Sequence, residues 1–222
     1  MQSKILIVCA PSGGGKGTII SLLKDHYGDR MWVSVSCTSR QPRGCEREGV
    51  DYYFISQEEF DRRQAAGYLA EYNTFGNGKS YGTPADKLEE HLTDDGIAVL
   101  DIDINGARQV IERYCGRYPI AAVFIAPESL VELRRRLESR GTETQEQIEQ
   151  RMATARGEYS MMLGEYGPLF DAVLLNARGC QCDTARRVAL ITDLINEPRG
   201  TASSPYREIL QQRYDLLTED KK

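Results

Sequence analysis

The residues with the clearest chemical meaning are the glycines and the lysine at 13–18, which directly follow an apolar run at 4–9. Glycines let the backbone curl so that successive N–H groups point at phosphate oxygens. A helix that begins near Lys16 would direct its positive end at the same place. Lys16 adds a full charge that reaches β- and γ-phosphates. The pattern predicts a nucleotide triphosphate site whose loop residues are Pro11, Ser12, Gly13, Gly14, Gly15, Lys16, Gly17 and Thr18.

This loop departs in two places from the pattern Gly-x-x-x-x-Gly-Lys-Ser/Thr. Ala10 stands at the first glycine, and Gly17 stands where the hydroxyl residue is expected. We expect Thr18, one place later, to supply the hydroxyl that faces a metal ion.

A second candidate for the metal is Asp101, which ends the apolar run 97–101. A carboxylate at the end of a buried strand is a usual neighbour of Mg²⁺ in nucleotide sites, directly or through water. Asp103 lies two residues on, and period-two spacing places both side chains on one face of the strand or its extension. A helix-capping role is the competing interpretation of Asp103.

The bulk properties limit the function classes. The chain has 222 residues, 41% hydrophobic and 27% charged, which is ordinary for one globular domain, and a net charge of -5. The acidic balance argues against a general nucleic-acid surface. Six scattered cysteines and two distant histidines give almost no support for a zinc site. No run approaches the roughly 20 apolar residues of a membrane span, so we expect a cytoplasmic protein without a membrane partner.

Short apolar runs alternate with longer helical patterns along most of the chain. Strands are predicted near 4–9, 31–36, 97–102, 120–125 and 171–175, and helices near 16–26, 105–115, 128–139, 145–163 and 181–196. Several strand segments are apolar throughout, as expected when helices cover both faces of a parallel sheet. The order predicts an α/β fold with a doubly wound parallel sheet.

Two segments interrupt this rhythm. Residues 35–85 are rich in Gly, Tyr, Thr and Arg, which predicts an inserted, partly β lobe. The segment 127–157 is charged and has little apolar surface to bury, which predicts a mobile helical lid. The core then comprises 1–34, 86–126 and 158–196. Residues 197–222 are predicted to form a linker and a polar C-terminal helix.

The segment 38–54 includes Arg40, Arg43, Glu46, Gly49 and Tyr52, and with the phosphate loop it resembles the signature of guanylate kinases. The resemblance extends from about residue 3 to 196 and includes Glu71 and the segments 76–83, 100–106 and 136–143. It implies a P-loop NTPase fold with a GMP-binding lobe. It also implies transfer of the ATP γ-phosphoryl group, as a magnesium complex, to GMP and plausibly to dGMP. The protein would act as a monomer or homodimer.

By this resemblance, Arg40 and Arg43 grip the acceptor phosphate, a dianion that suits planar, forked guanidiniums. Tyr52 and Tyr81 would donate hydroxyl hydrogen bonds to the same phosphate. Glu46 would hold Arg43 or a neighbouring donor in place.

The same resemblance assigns the guanine pocket. Guanine offers N1–H and N2–H₂ donors beside the O6 acceptor, so carboxylates match the donors and hydroxyls match O6. Glu71 and Asp103 are the implied carboxylates, with Ser36 and Thr83 as hydroxyl partners. Sites built on such bonds reject the wrong partner by on the order of 10⁴.

The lid and the ATP side complete the implied site. Arg140 and Arg151 match arginines that close over the transferring group, Arg136 is expected with them, and Lys16 acts from the loop. Asn176 matches a position beside adenine, although Ala177 and Arg178 replace two acids there. One residue more than usual lies between Gly76 and Tyr81.

Two other functions share parts of this pattern. A binding module related to guanylate kinases typically loses the loop lysine or the lid arginines, and this chain has both. A kinase for another small phosphorylated acceptor, such as a sugar phosphate, would not need Glu71 and Asp103. Both features favour the kinase acting on GMP.

Overall fold

The computed structural model describes residues 3–76, 78–93, 95–141 and 143–198. The segment 199–222, where a C-terminal helix is predicted, lies outside the described residues. The strands are β1 Lys4–Cys9, β2 Met31–Val33, β3 Cys37–Thr38, β4 Tyr53–Phe54, β5 Leu69–Thr74, β6 Ser80–Pro84, β7 Ile97–Asp101, β8 Ile120–Ala126 and β9 Ala172–Leu175. The helices are α1 Lys16–Tyr27, α2 Gln57–Ala65, α3 Ala85–Glu90, α4 Ile104–Tyr114, α5 Leu130–Ser139, α6 Gln145–Leu163 and α7 Gln181–Leu194.

The main sheet has five parallel strands in the order β2-β7-β1-β8-β9. The chain leaves β1 towards β2 on one side and later adds β8 and β9 on the other side. The topological switch therefore lies beside the carboxyl end of β1, where ligands bind in open α/β sheets. This confirms the predicted parallel α/β fold and places the phosphate loop at the switch.

Helices cover both faces of this sheet. In β1, Ile5 and Ile7 point into one core cluster, formed with α3, α4, α5 and α6, whereas Leu6 and Val8 point into the other, formed with α1 and α7. All four side chains are fully buried. Alternate side chains of a strand point to opposite faces, so a strand covered on both sides is apolar throughout.

The inserted lobe holds a second, mixed sheet in the order β4-β3-β6-β5. β3 is parallel to β4 and antiparallel to β6, and β5 is antiparallel to β6. Phe60 of α2 fills its small core together with Cys37 and Leu69. The predicted mixed-β lobe is confirmed.

Two sequence predictions about elements at the sheet are wrong in detail. The strand predicted at 31–36 ends at Val33, after which the chain turns away into the lobe, although the amide of Ser34 still bonds to Val99. The strand predicted at 97–102 ends at Asp101. Asp103 lies beyond it and caps α4 by accepting a hydrogen bond from the amide of Gly106. The helix-cap role is therefore present, and the role of Asp103 at the base stays a prediction.

The lid segment also buries more apolar surface than its composition suggests. Leu133 and Leu137 of α5 and Ile148 and Met152 of α6 are buried in the larger core cluster. The expectation of little apolar surface is wrong because the many arginines and glutamates occupy the other faces of two amphipathic helices. These four side chains attach α5 and α6 to the sheet.

Candidate active site

The phosphate loop connects β1 to α1. Gly13 and Gly15 have φ angles of 92° and 93°, a left-handed region that glycine adopts without strain. The amide of Gly14 donates to the carbonyl of Pro11 at 2.8 Å, which closes the turn. α1 starts at Lys16 without a side-chain cap, so its first N–H groups face an anion site.

Lys16 is held at the mouth of this loop by Asp101. The ammonium nitrogen lies 2.5 Å from Oδ1 of Asp101, and their side chains are 22% and 40% exposed. Burial disfavours the charged ammonium, but Asp101, Cys9 and Glu158 together outweigh it and raise the pKa of Lys16. The lysine therefore stays charged, as a phosphate ligand must.

The expected metal residues fit an ion held mostly by phosphates and water. Thr18 lies in the first turn of α1 with an exposed side chain, and Asp101 ends β7 beside the same loop. Within residues 3–198 as described, no group of three or more His, Cys, Asp or Glu side chains is placed to bind a metal. Mg²⁺ commonly uses one or two protein oxygens together with substrate phosphates and waters, which matches this sparse set.

The three predicted lid arginines have different surroundings. Arg151 of α6 donates to the hydroxyl of Ser12 in the phosphate loop and pairs with Glu143 at 2.7 Å. Arg140 lies at the exposed end of α5. The structure thus brings Arg151 to the loop and leaves Arg140 at the surface.

Arg136 and Asn176 bond to each other, and Asn176 bonds to the phosphate loop. Arg136 donates to the carbonyl of Asn176 at 2.7 Å and pairs with Glu132 at 2.8 Å. The buried Asn176 amide donates to the carbonyl of Gly14 at 2.9 Å. In this arrangement both residues contact protein groups of the loop region, and their contacts to ATP stay a prediction.

Arg40 and Arg43, which are predicted to bind the phosphate of the acceptor nucleotide, lie in the lobe. Arg40 is 6% exposed and makes a forked pair with Glu46 at 2.6 and 2.7 Å, and its Nε donates to the Tyr81 hydroxyl at 3.0 Å. Glu46 thus holds Arg40, while it accepts from Arg43 only through the backbone amide at 2.8 Å. The paired guanidinium lowers the pKa of Glu46 to about 2. Tyr52 packs against Arg40, whose guanidinium carbon lies 4.8 Å from the ring centre.

This network determines which donors face the cleft. A guanidinium has five N–H donors, and four of those on Arg40 are used by Glu46, Tyr81 and the carbonyl of Gln41. The Tyr81 hydroxyl accepts from Arg40, so its own hydrogen stays available to another acceptor. The exposed Arg43 side chain extends from the same loop.

The base pocket is built on the pairing of β5 with β6. Glu71 lies opposite Thr83 and Asn73 lies opposite Tyr81, so these four side chains share one face. The Thr83 hydroxyl donates to Oε1 of Glu71 at 2.7 Å. Burial raises the pKa of Glu71 to about 7, with Thr83 opposing and Asp103 adding to the increase. Glu71 is thus a buried acid poised to ionise near neutral pH.

Asp103 joins this pocket from the other side. While Oδ1 caps α4, Oδ2 accepts a hydrogen bond from the side-chain amide of Asn73 at 2.7 Å. The sequence reasoning missed Asn73, although its position two residues after Glu71 on one strand predicts a shared face. Ser36 is half-buried at the start of the lobe, where its carbonyl accepts from the Tyr53 amide.

Known proteins resemble this chain over most of its length. The family model described as "Guanylate kinase" matches residues 2–179. The chain is 42% identical over 175 residues to the guanylate kinase of Synechococcus sp. strain CC9902, which covers 79% of this chain and 88% of that protein. It is 39% identical to the guanylate kinase of Streptomyces coelicolor over 87% of this chain and 92% of that one.

A solved structure gives the same result for the fold. The crystal structure of guanylate kinase from Anaplasma phagocytophilum superposes with a TM-score of 0.65 at 30% identity and covers 96% of both chains. Across the described part of the chain, no helix has the length and apolar character that crossing a membrane requires.

Proposed function

The chain belongs to the guanylate kinase family and is an ATP:GMP phosphotransferase, and from this premise we propose how its residues divide the reaction. ATP binds through the loop 11–18, with Lys16 on its β- and γ-phosphates. GMP binds in the lobe, its phosphate on Arg40, Arg43, Tyr52 and Tyr81. Glu46 orients Arg40 by the forked pair described above.

The guanine ring lies between Glu71 and Asp103. The observation that carries this assignment is Glu71 itself, a 5% exposed carboxylate bonded to Thr83 with Asp103 nearby. Such a site pairs with the N1–H and N2–H₂ donors of guanine, whereas adenine would leave buried acceptors unpaired. Ser36 would donate to O6, and Thr83 would do so once its hydroxyl hydrogen turns from Glu71 to the base. No residue in the proposed set contacts the 2′-hydroxyl, so dGMP is proposed as a second acceptor.

Mg²⁺ is the proposed metal, with Thr18 and Asp101 near it, and when bound it would neutralise charge on the phosphates. Arg151 and Arg140 stabilise the transferring phosphoryl group from the lid, and closure excludes water that would otherwise act as acceptor. Arg136 and Asn176 support the loop from behind. A cytoplasmic location and a monomeric or homodimeric state complete the proposal.

The direct test compares acceptors. We would measure initial rates of ADP formation from ATP and Mg²⁺ with GMP, dGMP, AMP, CMP and UMP. GMP should dominate by orders of magnitude, with dGMP second. If another monophosphate gives equal rates, the assignment of Glu71 and Asp103 to guanine is wrong.

A variant localises this specificity. Glu71→Ala should reduce kcat/KM for GMP by at least about 100-fold, because it leaves guanine donors unpaired. The affinity for an ATP analogue should change less than about twofold, since Glu71 lies in the lobe. Glu112→Ala, at an exposed site on α4, is the control. Equal losses for both nucleotides would contradict the base-binding role.

A further inference from the structure

A partly buried carboxylate on α6 has no role in the site described so far. Glu158 lies seven residues after Arg151, which is two helical turns along the same face. Among the described residues, none donates a hydrogen bond to its buried Oε2. An unpaired buried acceptor is costly, which suggests that a donor reaches it in another state of the protein.

The groups around Glu158 identify the cleft that it faces. Lys16 is the nearby opposite charge that acts on it most strongly, and Asp103 acts as a like charge. Cys9, at the end of β1, interacts electrostatically with the same three groups. Burial raises the pKa of Glu158 to about 7, with Lys16 opposing and Asp103 adding to the increase. Arg151, on the same face of α6, contacts Ser12 of the phosphate loop, and Lys16 acts on Glu158 more strongly than any other charge, so Glu158 faces the loop side of the cleft.

Lys16 is the candidate donor for this acceptor, because it is the cation that acts most strongly on Glu158. An ammonium carries three N–H donors, and the structure pairs it with Asp101 on β7. Asp101 is also the carboxylate proposed to face the metal, so it has two competing partners once ATP is bound. A second carboxylate on α6 would retain the ammonium beside the phosphates.

We propose that Glu158 is a positioning residue for Lys16, the second carboxylate that holds the loop lysine when Asp101 turns towards the metal complex. The inference rests on the proposed role of Lys16 in ATP binding. It assigns Glu158 to the ATP side of the reaction and leaves GMP recognition to the lobe.

The test replaces the carboxylate by its isostere in Glu158→Gln. Calorimetry would measure the affinities for Mg²⁺ with a non-hydrolysable ATP analogue and, separately, for GMP. We expect the analogue to bind about tenfold more weakly, the size of a lost charge-assisted hydrogen bond, and GMP to change less than about twofold. Glu146→Gln, at an exposed position on the same helix, is the matched control. Glu158→Asp, which keeps the charge but shortens the side chain, should give a smaller loss.

A double-mutant cycle shows whether the effect passes through Lys16. In a Lys16→Met background, Glu158→Gln should cause no further loss of analogue affinity. Tighter binding of both nucleotides to Glu158→Gln would instead show that Glu158 only adds repulsive charge. Unchanged affinities with a higher melting temperature would show a buried acid without a role in positioning. If Lys16→Met itself leaves analogue binding intact, the proposed phosphate site has failed, and this outcome is separate from failure of Glu158.

Discussion

The protonation of Glu71 predicts a specific dependence of stability on pH. Glu71 is 5% exposed and titrates near pH 7 in the folded protein, against an ordinary value of 4.5. Between these values the folded protein keeps a proton that the unfolded chain has lost, so this residue lowers stability as pH rises. Glu71→Gln removes the titration and keeps an acceptor for the Thr83 hydroxyl.

The magnitude follows from the two pKa values. From about pH 5 to about pH 8.5, the wild type should lose about 2.5 kcal/mol of unfolding free energy relative to Glu71→Gln. Urea unfolding of both proteins across this range gives the difference directly, and subtracting the two curves removes every other titrating group. Glu58→Gln, in the exposed first turn of α2, controls for the change of carboxylate to amide. A difference that stays constant within about 0.5 kcal/mol would refute the reasoning, because Glu71 would then be ionised in the free protein.

Three further predictions follow from single contacts. Lys16→Ala should abolish turnover in a coupled ADP assay, and near-normal activity would overturn the phosphate-loop assignment. Glu46→Gln should raise KM for GMP about tenfold and leave KM for ATP within about twofold, because Arg40 loses its forked partner; equal changes in both constants would contradict this. Leu133→Ala should lower the urea unfolding free energy by about 2–5 kcal/mol, because the side chain is fully buried; a loss below about 1 kcal/mol would show that α5 is not anchored there.

Much of the main sheet could be predicted from local pattern. Strands β1 and β8 are buried on both faces and therefore read as apolar runs, and α6 shows the period of a helix. The bounds of these three elements follow from composition and period. The lid was predicted less well. Its charge suggested a mobile helical lid with little apolar surface to bury, but Leu133 and Leu137 are buried in the larger core cluster and lie beside Gly13 of the phosphate loop.

Part of the candidate site could likewise be predicted from the sequence, and part could not. The glycine-rich loop and the segment 38–54 were recognisable because their chemistry is carried by neighbouring residues. The pairing of carboxylates with arginines could not be predicted. Glu46 is near both Arg40 and Arg43 in sequence, and only the fold of the loop pairs its carboxylate with the Arg40 side chain.

The sequence alone determined the class of fold, the phosphate loop and the family of the enzyme, because these depend on residue types at fixed short spacings. The tertiary structure decided the contacts between distant segments, such as Lys16 with Asp101, Arg151 with Ser12 and Asn176 with Gly14. It also decided the unusual acidities of Glu71 and Glu158. A pKa depends on burial and on the charges within a few ångströms, and both are set only when the sheet, lobe and lid have packed together.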